Sequence, residues 1–353
     1  MACVRVVRKR VVALVSAWAA FVLGGCGSTG HGAAGSFVPT DPSISGRFAV
    51  EHGAAELTVP GFGRYSALTF RPIASATAGA ASLEPPSQVP GIVLSNGLAA
   101  PGSIMTWISD HLASHGYAVL TFTPANTLSL DMTAWAAGFE RGIDAFLGAD
   151  GASAGALDGL VDPEHIGLVA LSAGGAGAIE AAGNDPRIGA VVAFAPGISD
   201  LGRFLFQDTI DAAARIAAPT QIQVGTEDCL VNPRPPSLLA FTNLERGGVE
   251  TYYDAIPARR QLLEIMGANH IGYFDEAALG LWTAAIVDTI PIDCAATISA
   301  ADQHTVAKRY ATMWLDTYLH ETTAWRDELF GGGVEADLAN DVLNRVRSDA
   351  PRE

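Results

Sequence analysis

Ser172 stands in the run Ala170-Leu171-Ser172-Ala173-Gly174, which matches the G-x-S-x-G nucleophile elbow except at its first position. The elbow is a sharp strand-to-helix turn that lifts a serine hydroxyl above a sheet. Small neighbours are needed because the strand and helix backbones pass closely there, and Ala170 adds only one methyl to the expected glycine. An incidental serine at a Gly/Ala-rich helix start would explain that run alone, but not the partners that follow. A serine hydroxyl becomes a useful nucleophile when a base takes its proton and an acid orients the base. Asp228 in Gly225-Thr226-Glu227-Asp228 and His270 in Gly267-Ala268-Asn269-His270 supply both, in the order serine, acid, histidine. Glu227 is the rival acid, yet adjacent side chains in an extended turn point apart, and position in the motif favours Asp228. Among other histidines, His115 belongs to a helix-ending Ser-His-Gly turn, His304 to a surface helix, and His31 and His52 precede the core. The chemistry implied is acyl transfer. Its oxyanion needs two backbone N–H donors, expected from Ala173 and from Leu98 in the loop Ser95-Asn96-Gly97-Leu98-Ala99.

These residues require strands to carry them. From about Gly46 short β-like runs alternate with helical stretches, the pattern of an α/β fold with a mostly parallel central sheet and helices on both faces. Ala55 to Val59 and Ser66 to Phe70 read as opening antiparallel strands. Gly91 to Leu94, Tyr117 to Phe122, Ile166 to Leu171, Ile188 to Phe194, Thr220 to Val224 and Gln261 to Met266 read as buried strands. The last of these is expected to close the sheet. Ile104, Trp107, Ile108 and Leu112 recur at helical spacing, as do Val306, Tyr310, Met313 and Trp314. Ser172, Asp228 and His270 each follow a strand, where open α/β sheets place their sites.

The N-terminus carries Arg5, Arg8, Lys9 and Arg10 before a 13-residue apolar run, Val11 to Leu23, too short to span a bilayer comfortably and typical of an export signal. It ends in Leu23-Gly24-Gly25-Cys26, which is similar to the bacterial lipobox. Residues 1–25 are therefore expected to be a lipoprotein signal, Cys26 the lipidated residue, 26–45 a flexible tether, 46–320 the domain and 321–353 a polar tail. The implied location is the bacterial cell envelope, with a lipid anchor in the membrane. Removing four cations from a net charge of −16 leaves −20, a surface that repels nucleic acid. With Cys26 lipidated, Cys229 and Cys294 remain, and export favours their pairing as a disulfide. No HExxH, CxxC pair or P-loop pattern occurs, and no metal site is expected.

Together the loop Ser95-Asn96-Gly97, the stretch His111 to Tyr117, the elbow and the loops bearing Asp228 and His270 resemble the dienelactone-hydrolase-like branch of the α/β-hydrolases. That branch includes platelet-activating-factor acetylhydrolases and bacterial cutinases or polyester hydrolases. The resemblance runs from about Pro90 to His320 and implies the α/β-hydrolase fold, serine esterase chemistry and no cofactor. Departures are specific. Dienelactone hydrolases use cysteine where Ser172 stands, and polyester hydrolases carry aromatics where Leu98 and Leu171 stand. Leu201, Phe204, Leu205 and Phe206 follow the strand Ile188 to Phe194, either as a short hydrophobic lid over an acyl group or as core packing under the loop, and Leu171, Leu201, Phe204 and Phe206 are expected to line the substrate pocket.

The function expected is a monomeric serine esterase for neutral or hydrophobic carboxylic esters, acting through an acyl-enzyme. It should prefer short to medium acyl chains and release little from polyester. A polyester or cutin hydrolase, a peptidase or amidase on the same fold, and a non-catalytic binding lipoprotein are the alternatives.

Overall fold

Alternation and continuous apolarity divide the strands as their surroundings demand. In the computed structural model, whose residues 39–75, 83–197, 207–231, 248–275 and 293–349 are described here, β1 (Ala49–Val59) and β2 (Gly63–Ile73) form an antiparallel hairpin. Leu57, Val59, Tyr65 and Ala67 are buried while Glu56, Thr58 and Ser66 are exposed, as a strand with one wet face requires. By contrast β3 (Val89–Ser95) is buried along its whole length, as an interior parallel strand covered on both faces should be. After it come α1 (Thr106–His115), β4 (Ala118–Thr123), α2 (Met132–Leu147), β5 (Val161–Leu171) and α3 (Ala173–Asn184). The chain continues through β6 (Ile188–Phe194), α4 (Gln207–Ala213), β7 (Thr220–Gly225), α5 (Gly248–Ala255), β8 (Arg260–Ile265) and α6 (Ala300–Leu319).

The sheet runs in the order β1-β2-β4-β3-β5-β6-β7-β8, with every pairing from β4 to β8 parallel. Helix α1 packs with α6, and α3 packs with α2 and α4, so helices cover the sheet. Trp135, Trp314, Phe122, Phe139 and Phe194 are among the largest fully buried side chains of the core. In register, Leu171 lies opposite Phe194, Phe194 opposite Gln223, and Gly225 opposite Ile265. The carboxyl ends of β5 to β8 therefore finish level, on one edge.

Two boundaries are corrected. Gln261 to Met266 does not close the sheet, and residues 321–349 are not a tail beyond the domain. After α7 (Arg326–Phe330) and α8 (Gly332–Ala339), β9 (Leu343–Ser348) joins β8 antiparallel as a ninth strand. The buried apolar anchors of this C-terminal segment are few, Leu329 on α7, Val334 on α8 and Leu343 on β9, and the charges of β9 are used laterally. Arg345 pairs with Glu250 at 2.6 Å and Arg347 with Asp254 at 2.7 Å, which gives an edge strand the charged character that discourages further pairing. At the other end, the last residues of the expected tether are docked. Pro42 is buried, the Ile44 carbonyl lies 2.9 Å from His115 Nε2, and Gly46 N–H donates to Ser114 Oγ at 2.8 Å. Cys26 and the signal lie outside the described residues.

Candidate active site

Ser172 links the end of β5 to the start of α3 with φ 56° and ψ −120°, a left-handed region that costs a non-glycine residue about 1–3 kcal/mol. The surrounding backbone holds it there. Ser172 N–H donates to the Phe194 carbonyl at 3.0 Å, Gly174 N–H to that of Asn96 at 3.0 Å, and Gly197 N–H to that of Ser172 at 2.6 Å. A Cβ on Gly174 would collide with the Asn96 carbonyl oxygen, and one on Gly97 would come within 2.8 Å of Ser172 Cβ. Glycine at these two positions lets the loop after β3 lie directly against the serine. Neither the Ala173 nor the Leu98 backbone N–H bonds to another described residue, which leaves both available to a carbonyl oxygen.

Asp228, in the turn after β7, is fully buried. Its Oδ1 accepts the N–H groups of Leu230 and Val231, each at 3.0 Å, and its Oδ2 lies 2.9 Å from His270 Nδ1. Glu227 is turned elsewhere, its Oε1 accepting from Thr226 Oγ1 at 3.1 Å. The loops after β7 and β8 are tied together, since Glu227 N–H donates to the Ala268 carbonyl at 2.8 Å and Gly267 N–H to Thr226 Oγ1 at 2.8 Å. Burial of the His270 ring opposes its protonation, but the Asp228 charge and hydrogen bond, with Asp293 adding to them, raise its pKa above the ordinary histidine value. With Nδ1–H directed at the carboxylate, the neutral ring keeps Nε2 as an acceptor. Serine, carboxylate and imidazole thus occupy three loops at one edge of the sheet.

A family model described as PET hydrolase-like matches residues 62–273, a span holding all three of these residues. The chain belongs to the PET hydrolase-like family. It is accordingly an α/β-hydrolase that acts on esters, with cutinase and polyester hydrolase relatives, as the sequence resemblance implied. No curated protein matches it.

The remaining expectations divide. Cys229 and Cys294 form the expected disulfide, with Cα atoms 5.4 Å apart, beside Asp228 in this PET hydrolase-like chain. Leu98 is partly exposed at 36%, whereas Leu171 has no exposed surface and belongs to the core. The correction to Leu171 follows from β5, an interior strand buried on both faces from Ile166 to Leu171. Leu201, Phe204, Leu205 and Phe206 lie outside the described residues. His304 is not on an open surface, because its ring stacks on Trp107 with centroids 3.9 Å apart, and burial lowers its pKa to about 4.

Sequence reasoning missed Leu128 and Leu130, which are 69% and 54% exposed. Ala99 N–H donates to the Thr127 carbonyl at 2.9 Å, so their turn runs beside the Leu98 loop. Two leucines in a loop directly after a buried strand were the available signal. Asp293 was also missed, and its position next to Cys294 was the only clue.

Proposed function

We propose that this chain is a serine esterase for neutral or hydrophobic carboxylic esters. Ser172 Oγ attacks the ester carbonyl carbon while His270 Nε2 takes the hydroxyl proton, and the Ala173 and Leu98 N–H groups receive the oxyanion. Collapse expels the alcohol with that proton and leaves an acyl-serine. Water, deprotonated by His270, then attacks the acyl carbon, and the proton returns to Ser172 as the acid departs. The observation that carries this reading is the 2.9 Å contact between His270 Nδ1 and Asp228 Oδ2, both residues buried, at the sheet edge that bears the strained Ser172.

Because the base must be neutral, kcat/KM should fall as pH drops through the raised pKa of His270. Exposed Leu98, Leu128 and Leu130 give the substrate an apolar bank, consistent with an apolar acyl or alcohol group. A second reading, polyester as the substrate, is favoured by the family match. Against it stand Leu98 and the buried Leu171, which offer no aromatic face for an aryl ester to stack on.

The test is fluorophosphonate labelling with an ester panel. Wild type should label at Ser172, and Ser172→Ala should lose labelling and at least about 10⁴-fold in hydrolysis. Rates on p-nitrophenyl esters should rise from acetate to an intermediate chain and then fall, with slow release from amorphous polyester film. Fast film release would favour the polyester reading. Normal labelling of Ser172→Ala would refute the serine mechanism.

A further inference from the structure

Asp293 uses both carboxylate oxygens at the junction between the loops that carry Asp228 and His270. Its Oδ1 accepts the N–H of Cys229 at 3.0 Å and of Cys294 at 2.9 Å. Its Oδ2 accepts the N–H of His270 at 2.7 Å and of Ile271 at 3.1 Å. One oxygen thus holds the residue after Asp228, and the other holds His270 itself. The Cys229–Cys294 disulfide closes the first side covalently, and Asn269 Nδ2 donates to the Cys294 carbonyl at 2.8 Å. We propose that Asp293 is a positioning residue, a carboxylate clasp that sets His270 against Asp228 and adds negative charge facing the imidazolium formed during reaction. This rests on the serine-esterase reading above.

The residue type follows from the donors. A carboxylate is acceptor-only and has about four lone-pair sites, which matches four N–H groups. An asparagine would turn its NH₂ toward two of them, so either the Cys229 side or the His270 side would face donor against donor. Burial and the Asp228 charge raise the Asp293 pKa, while the N–H bonds of Cys229 and Ile271 and the charge of His270 oppose the rise. Among the described residues, four titratable groups bear on this corner. Asp228 comes from the loop after β7, Asp293 from the segment before Cys294, and Tyr273, pushed up by burial, from the turn of His270 itself. His304 comes from α6 and is held neutral by burial. Among the described residues, the two aspartates are the charges that act on His270 directly.

Full-length Asp293→Asn and Asp293→Glu separate charge from reach. Asp293→Asn should lower kcat on a soluble p-nitrophenyl ester on the order of 10²-fold, the scale of a misplaced catalytic group, with KM little changed. Its acidic limb should move toward lower pH, because a negative charge that favoured protonated His270 is gone. Asp293→Glu keeps the charge but not the reach, so kcat should fall while the limb stays in place. A simple loss of stability would not move the limb. Should Asp293→Asn fail to fold, amide exchange in wild type decides: the N–H groups of Cys229, His270 and Ile271 should be protected at neutral pH. Fast exchange of all three, or a folded Asp293→Asn with wild-type kcat and an unmoved limb, overturns the clasp. Failure of the esterase reading itself would show separately, as wild-type protein that does not label at Ser172.

Discussion

At the scale of single residues, two adjacent acids compete for one imidazole. Asp228 Oδ2 lies 2.9 Å from His270 Nδ1, and Glu227 is engaged with Thr226. In the proposed mechanism a carboxylate there fixes the tautomer that leaves Nε2 free to accept the serine proton, and an amide in its place stabilises the wrong tautomer. Asp228→Asn should therefore lower kcat by about 10⁴-fold with the fold intact. Glu227→Gln should change it less than about tenfold, since its carboxylate is engaged by Thr226 Oγ1. Steady-state kinetics of the two variants checks the assignment. A large loss in Glu227→Gln with a small one in Asp228→Asn would reverse it.

At the scale of elements, the strands bring their loops to one edge, but cross-links hold the loops in register. The disulfide joins residues 65 apart in sequence and adjoins the acid loop at Cys229. Closing a loop of that length stabilises by about 4 kcal/mol in the chain-entropy model. The double replacement Cys229→Ser with Cys294→Ser should lower unfolding free energy by up to about that amount in urea melts. It should also reduce kcat, because the Asp228 loop loses its covalent tie. Two freely alkylatable thiols in native, unreduced protein would show that the bond is not formed. Strand β9 shores up the other side, since it pairs with β8, and β8 leads directly into the His270 loop.

At the scale of the whole molecule, buried histidines set the response to acid. Burial lowers His111 to about 2, His320 to about 3 and His304 to about 4, and it lowers His115 as well. Each stays neutral in the folded protein while the unfolded chain takes up protons below about pH 6.5, so stability is lost as pH falls through that value. At about 1.4 kcal/mol per unit, each of the three costs about 2 kcal/mol by pH 5. Asp316, raised to about 6 by burial despite its bonds from Trp325 and Tyr117, gains a proton in the folded state first. His270, shifted upward, also favours the folded state on the acid side. These two offset part of the loss. Tm should fall between pH 7.5 and 5, and His320→Gln should flatten the slope. A Tm that holds constant or rises on acidification would contradict this balance.

Motif and chain order by themselves pointed to ester hydrolysis, which the family match supports. Ser172, Asp228 and His270 stood out as the candidate triad because a nucleophile elbow needs small neighbours and because each partner follows a strand. The parallel sheet was legible because short strand-like runs alternate with helical ones, and the cysteine pair because Cys229 and Cys294 were the two cysteines expected within the domain. Tertiary structure decided what depends on contacts remote in sequence. Strand β9 has too few apolar residues to announce itself, and it is a strand because β8 offers an open edge. Leu171 reads as a pocket residue from its place beside the serine, yet an interior strand buries it. Asp293 has no motif at all; its role exists only because the fold brings N–H groups from residues 229, 270, 271 and 294 to one carboxylate.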